Sequence, residues 1–171
     1  IAFSLVRSDA RYDDAIYTVE LEGTNIKRMV NGTTFAWSPS GNRIVYESAY
    51  SLRVLDQDGK IENLNLLGEE PSWSPDEKKI LYSSPQIDKN YRSTMQIHLL
   101  SLDKKDKDGE YETKKLTRQG NNISAKFSPD GTKIVFLSNR DLYADYPTMG
   151  GYCFELYTMN PDGTDQNRLS Y

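Results

Sequence analysis

Residues 35–46 read FAWSPSGNRIVY, and the same phrase returns as PSWSPDEKKILY at 71–82 and AKFSPDGTKIVF at 125–136. Anchored on the aromatic before Ser-Pro (Trp37, Trp73, Phe127), each copy has an Ile seven residues later (Ile44, Ile80, Ile134). An aromatic follows two residues after that (Tyr46, Tyr82, Phe136). Pro39, Pro75 and Pro129 cannot donate to a ladder, so each closes a strand and opens a turn. PSGN, PDEK and PDGT supply the turn residues. The residues after each turn alternate, as a strand with two different faces does.

A second element follows each phrase. LRVLDQDGKIENL (52–64), IHLLSLDKKDKDGEYETKKLT (97–117) and LYTMNPDGTDQNRLS (156–170) each read as strand, Asp-Gly turn, strand. The N-terminal part fits the same frame without its first piece: IAFS (1–4) matches the strand IVYE, and IYTVELEGTNIKRMV (16–30) matches the hairpin. The chain therefore contains four copies of a four-stranded antiparallel unit, the first lacking its opening strand. Repeats of this size and content predict an all-β fold, a β-propeller, with blades at roughly 1–34, 35–70, 71–124 and 125–171. A single small sheet cannot hide both faces, whereas stacked sheets cover one another. Trp37, Trp73 and Phe127 are the expected inter-blade core.

The aromatic-Ser-Pro-Asp-Gly pattern resembles the WD40-like repeat of TolB-type propellers. FSPDGTKIVFLSNRD (127–141) with ELYTMNPDGTDQNRLS (155–170) matches it nearly throughout, and the other copies match in part. Ser40-Gly41 and Asp76-Glu77 stand where the family has Asp-Gly. Arg7 and Arg140 hold the family's arginine position, which Tyr50 and Gln86 occupy in the other two copies. The resemblance implies a periplasmic or extracellular, non-catalytic scaffold that binds another protein. It equally fits the accessory propeller of a prolyl-oligopeptidase-type serine peptidase, or a propeller-fold carbohydrate-active enzyme. Four copies look like part of a larger ring with residues missing at one or both ends, or an unusual small propeller, and the opening on IAFS suggests a processed, trimmed or excised polypeptide.

Composition narrows the function further. The 171 residues carry 21 Lys and Arg against 25 Asp and Glu, a net charge of −4. The basic residues are scattered, which gives no reason to expect nucleic acid. DKKDKDGEYETKK (103–115) carries both signs and reads as a solvated hairpin end. The longest apolar run, IHLLSL at 97–102, falls far short of the roughly 20 residues of a membrane span. The lone Cys153 has no partner for an internal disulfide.

Catalytic and metal motifs are absent: there is no G-x-S-x-G, H-E-x-x-H or C-x-x-C. DQDG (56–59), DKDG (106–109) and NPDG (160–163) resemble the middle of a calcium loop. The acid required six residues after the Gly is replaced by Asn65, Lys115 and Leu169, so these are read as hairpin turns. His98 shares a column with Tyr17, Arg53 and Tyr157 and is read as structural. No catalytic residue, metal ligand or cofactor is assigned.

The long segments VRSDARYDD (6–14), PQIDKNYRST (85–94) and NRDLYADYPTMGGY (139–152) all connect the second strand to the third, and so emerge at one end of the blades. They carry Arg7, Arg11, Tyr12, Tyr91, Arg92, Arg140, Tyr143, Tyr146 and Tyr152. Tyr and Arg are the residues that anchor protein interfaces, so this end is the expected binding face. The corresponding connection in the second copy is only SAYS (48–51).

Overall fold

The computed structural model describes residues 2–5, 14–87, 93–141 and 153–169. All secondary structure among them is strand, in four antiparallel sheets. Blade 1 holds β1 (Ala2–Leu5), β2 (Ala15–Thr18) and β3 (Lys27–Asn31). Blade 2 holds β4 (Phe35–Trp37), β5 (Arg43–Ser48), β6 (Ser51–Asp56) and β7 (Ile61–Leu67). Blade 3 holds β8 (Glu69–Trp73), β9 (Lys79–Ile87), β10 (Ser93–Lys105) and β11 (Tyr111–Lys115). Blade 4 holds β12 (Asn122–Phe127), β13 (Ile134–Ser138), β14 (Glu155–Met159) and β15 (Asn167–Arg168). Every sheet pairs its strands in chain order, and the expected β-propeller blades are present, the first with three strands.

The thrice-written phrase folds the same way each time. Ser38, Ser74 and Ser128 take the backbone N–H of Arg43, Lys79 and Lys133 on their hydroxyls, at 3.2, 2.9 and 3.0 Å. Their own N–H groups donate back to the carbonyls of the same three residues at 2.8–2.9 Å. The turn's last residue has positive φ in all three: Gly41 at 75°, Glu77 at 57° and Gly131 at 72°. Glu77 is the residue out of place there. Its carboxylate compensates by reaching blade 2, where it accepts from the Ser40 N–H and from Arg43 at 3.0 Å. Burial alone would raise the Glu77 pKa, but the Ser40 and Arg43 hydrogen bonds outweigh it and hold the group below its usual range.

Apolar residues from adjacent sheets form the core between them. Val45, Leu52, Val54 and Leu64 of blade 2 meet Trp73, Ile80, Tyr82 and Leu100 of blade 3. Leu81, Ile97, Leu99 and Leu116 of blade 3 meet Ala125, Ile134, Phe136, Tyr157 and Met159 of blade 4, with Phe127 packed alongside. Blades 1 and 2 share a smaller cluster, Ile16, Ile44 and Tyr46. Trp73 is only 6% exposed and donates its indole N–H to the Ala36 carbonyl of blade 2 at 3.1 Å. The guanidinium of Arg43 lies 4.6 Å over its ring.

Trp37 departs from the expectation that all three anchors are core, since it is 41% exposed. The residue that caps Trp73 is on the opening strand of the preceding blade, and blade 1 shows no such strand among the described residues.

Segment 85–94 also differs from the loop expected. Pro85, Gln86 and Ile87 pair with Met95, Thr94 and Ser93, leaving only 88–92 as the connection. Pro85 sits inside a strand because its partner Met95 sends its N–H to the Asn121 side chain, 2.8 Å away, and not across the ladder. Pro85 therefore occupies a non-hydrogen-bonded pair, where its missing donor costs nothing.

Candidate functional site

The two ends of the blades are built differently. One end carries the Ser-Pro turns and the Asp-Gly hairpins, and the acid that opens or follows each turn bonds back to it. Asp56 accepts the N–H groups of Asp58 and Lys60 at 3.0 and 2.9 Å, and Asp106 those of Asp108 and Glu110 at 2.8 and 3.0 Å. Asp130 takes the Ser128 hydroxyl, then the Thr132 N–H and hydroxyl, which holds its pKa down at about 2. Asp162 does the same with Thr164. The would-be calcium turns are thus self-capped hairpin ends, stabilised by Asx-type bonds.

The other end carries the connections between second and third strands and between successive blades. Its shortest connection is SAYS (48–51). Ser48 pairs directly with Ser51, leaving a two-residue loop in which Ala49 (φ 52°) and Tyr50 (φ 63°) are both left-handed. Such loops ordinarily carry Asn-Gly, because residues with a Cβ are strained there. The surroundings hold the turn in place: Tyr50 donates its N–H to the Glu47 carboxylate and accepts from Gly68 N–H at 3.0 Å. Glu47 is buried, and its second carboxylate oxygen takes the Thr33 hydroxyl. The strained turn presents Tyr50 to solvent, 78% exposed.

Along the first strands, the same column links one blade to the next. Glu70 and Ser124 both have positive φ (52° and 55°) at register shifts in β8 and β12. Each bulge frees a backbone N–H that the preceding blade satisfies. The Glu70 N–H donates to the Thr34 hydroxyl of blade 2 at 3.1 Å. The Ser124 N–H donates to the Glu70 carboxylate of blade 3 at 2.8 Å, and the Ser124 hydroxyl adds bonds of 3.1 Å. Glu69 lies beside this clasp, its pKa raised by burial and then by the carboxylates of Glu70 and Glu47.

Between blades 3 and 4 the connection end is closed by buried amides. Gln96 takes the Thr117 hydroxyl at 2.9 Å and the Asn122 side-chain NH2 at 3.1 Å. Arg140 completes this network. Its guanidinium donates to Ser138 at 3.0 Å, to Asn122 at 2.8 Å and to Gln166. It lies 5.3 Å over Phe136 and 4.9 Å over Tyr157. Of the residues expected at the binding face, Arg140 is the one inside the described residues, and there it braces two strands and the β14–β15 hairpin. Arg7, Arg11, Tyr12, Tyr91, Arg92, Tyr143, Tyr146 and Tyr152 lie outside the described residues.

His98 sits in its structural column. Phe3 pairs with Tyr17, Tyr46 with Arg53, Tyr82 with His98 and Phe136 with Tyr157. The rings of three of these pairs lie 5.4–5.6 Å apart. Burial, and then the Lys115 ammonium, hold the His98 imidazole below its ordinary pKa, and its Nε2 is buried without a partner among the described residues. Among the described residues no cluster of His, Cys, Asp or Glu is arranged to hold a metal, and no helix is long and apolar enough to cross a membrane.

The chain superposes over 99% of its length on TolB from Acinetobacter baumannii, with a TM-score of 0.74 and 20% sequence identity, and covers 41% of that chain. The fold is that of a TolB-like propeller. The propeller domain of the Trilobed protease from Pyrococcus furiosus matches 98% of the chain at TM-score 0.59 and 17% identity, over 53% of its own length. Dipeptidyl peptidase 4 of Porphyromonas gingivalis matches 96% at TM-score 0.58 and 14% identity, over 29% of its length. The family model for the dipeptidyl peptidase IV N-terminal region matches residues 72–151. No curated protein matches in sequence. The propeller described here thus spans less than half of TolB and about half of the protease domain.

Proposed function

We propose that this propeller is a protein-binding scaffold of the cell envelope, periplasmic or at the cell surface, and that it engages its partner with the connection end of its blades. The observation that carries this reading is the asymmetry of the two ends. At the hairpin end Asp56, Asp106, Asp130 and Asp162 cap the N–H groups of their own turns. The connection end holds Tyr50 exposed on a left-handed turn, and the connections that include Tyr91, Tyr143 and Tyr146 join second to third strands at the same end. Strain held at a display point is common where a protein binds, and exposed tyrosines make large contacts at low entropic cost. The envelope location rests on the likeness to TolB. Capture from envelope extract by the wild-type chain, by Tyr50→Ala and by a Tyr91→Ala, Tyr143→Ala, Tyr146→Ala triple variant tests it. A partner held by the wild type and released by both variants is expected. Equal capture by all three, with the fold intact, overturns the reading.

A second reading is favoured by the family match over 72–151 and by the peptidase propellers among the structural neighbours. On that reading the propeller is the accessory domain of a prolyl-oligopeptidase-type serine peptidase. A G-x-S-x-G segment with a downstream His in the same reading frame would establish it.

A further inference from the structure

We propose that the cleft between the blade 3–blade 4 connection and the β14–β15 hairpin binds a small oxyanion, a phosphate or a carboxylate, with Arg118 and Arg140 as its two cationic ligands.

The cleft has a volume of about 270 Å³ and is lined by Leu116, Arg118 and Gln119 of the connection and by Arg140, Gly163 and Gln166 of blade 4. Among the described residues, two guanidiniums line it and no carboxylate does. Its acceptors are occupied. The Gln166 amide donates to the carbonyls of Leu116 and Gly163 at 2.9 and 2.8 Å, and its oxygen receives Arg140. What remains is donors. A guanidinium has five N–H groups, and the Arg140 side chain makes three hydrogen bonds, to Ser138, Asn122 and Gln166. Arg118 is exposed and makes none among the described residues.

The carboxylates nearby are engaged elsewhere. Asp141 accepts the Tyr157 hydroxyl, Asp162 the Thr164 N–H and hydroxyl, and Asp165 the Lys133 ammonium at 3.0 Å. Arg140 is thus a half-buried cation whose hydrogen bonds all go to neutral oxygens. Burial pulls its pKa down, and Tyr157 and Asp141 offset that only in part. A charge that has lost water without gaining a charged partner is stabilised by an arriving anion. Guanidiniums take phosphate and carboxylate through paired, planar hydrogen bonds. Arg140, fixed by its three acceptors and stacked over Phe136 and Tyr157, supplies the pre-organised half of such a site. Arg118 supplies the second charge from the solvent side.

The test titrates the whole chain with inorganic phosphate and, separately, with N-acetylglutamate, at an ionic strength held constant with sodium chloride. Binding is followed by NMR on the arginine Nε–Hε signals and on the backbone amides of 116–119 and 163–166. Saturable shifts at these positions are expected with at least one of the two anions. A response to phosphate alone assigns the cleft to free or esterified phosphate, and a response to N-acetylglutamate assigns it to an acidic side chain of a partner. Arg118→Gln removes a side chain without a partner among the described residues, so Tm in chloride buffer should stay unchanged. Anion binding should weaken about tenfold or more, the effect of losing a charge-assisted ligand, and Arg118→Lys should retain most of it. No saturable response to either anion overturns the inference. So does a response centred on other residues, or binding unchanged in Arg118→Gln. Tyr50→Ala should leave all these readouts unmoved, which separates this site from the connection-end reading.

Discussion

Replacing Ala49-Tyr50 by Asn-Gly should make the protein more stable while removing the displayed tyrosine. Both residues are left-handed, at φ 52° and 63°. Each side chain held there costs about 1–2 kcal/mol relative to a residue that accepts the conformation. Glycine at 50 recovers that strain but loses about 0.5–1 kcal/mol because the unfolded chain gains freedom. Asparagine at 49 recovers part of its share. Tyr50 is 78% exposed, so little packing is lost with it. The net gain is about 1–2 kcal/mol, and for a chain of this length each kcal/mol moves Tm by roughly 2–4 °C. Thermal unfolding followed by circular dichroism should therefore show a rise of about 2–8 °C, with urea unfolding shifted at constant slope. An unchanged or lowered Tm would refute the claim that the turn stores strain. If the double variant is both more stable and unable to hold the partner, loss of binding cannot be blamed on unfolding.

The blade clasp makes a graded prediction. Glu70→Ala strips the Ser124 N–H of its acceptor and should cost about 2–4 kcal/mol, discounted by relief of repulsion on Glu69. Glu70→Gln, which keeps an acceptor oxygen, should cost clearly less, and chemical denaturation of both variants orders them. His98 makes a pH prediction. Its folded pKa is lowered by burial and by Lys115, so the folded state binds fewer protons than the unfolded chain. Stability is then lost as pH falls below the ordinary histidine value of about 6.5. His98→Tyr, the residue of the sister columns, should remove that loss, as read from Tm between pH 7 and pH 5.

Much of the scaffold was legible in the sequence because its determinants are local. The Ser-Pro turns bond within five residues of themselves, the Asp-Gly hairpins cap their own N–H groups, and the column of Tyr17, Arg53, His98 and Tyr157 follows from a fixed repeat spacing. What escaped depends on neighbours distant in sequence. Trp37 and Trp73 stand in the same phrase, and only the strand in front of each decides whether it is covered. Pro85 reads as a loop residue until Asn121 is seen to take the Met95 N–H. Arg140 is one of several arginines near a loop in the sequence, and becomes a brace only when Asn122, Ser138 and Gln166 converge on it. Tyr50 was hidden by brevity, since a four-residue connection gives no hint that its central pair is left-handed.

The clasp at Thr34, Glu70 and Ser124 has a direction. Each link takes its acceptor side chain from one blade and its donor N–H from the next, so every repeat owns half of two links. A cassette copied from one such column to the next, for example residues 70–123, carries one acceptor and one donor and can be inserted in any whole number without leaving either unmatched. For anyone lengthening or shortening this protein, the exchangeable module is therefore one whole bulge-to-bulge repeat.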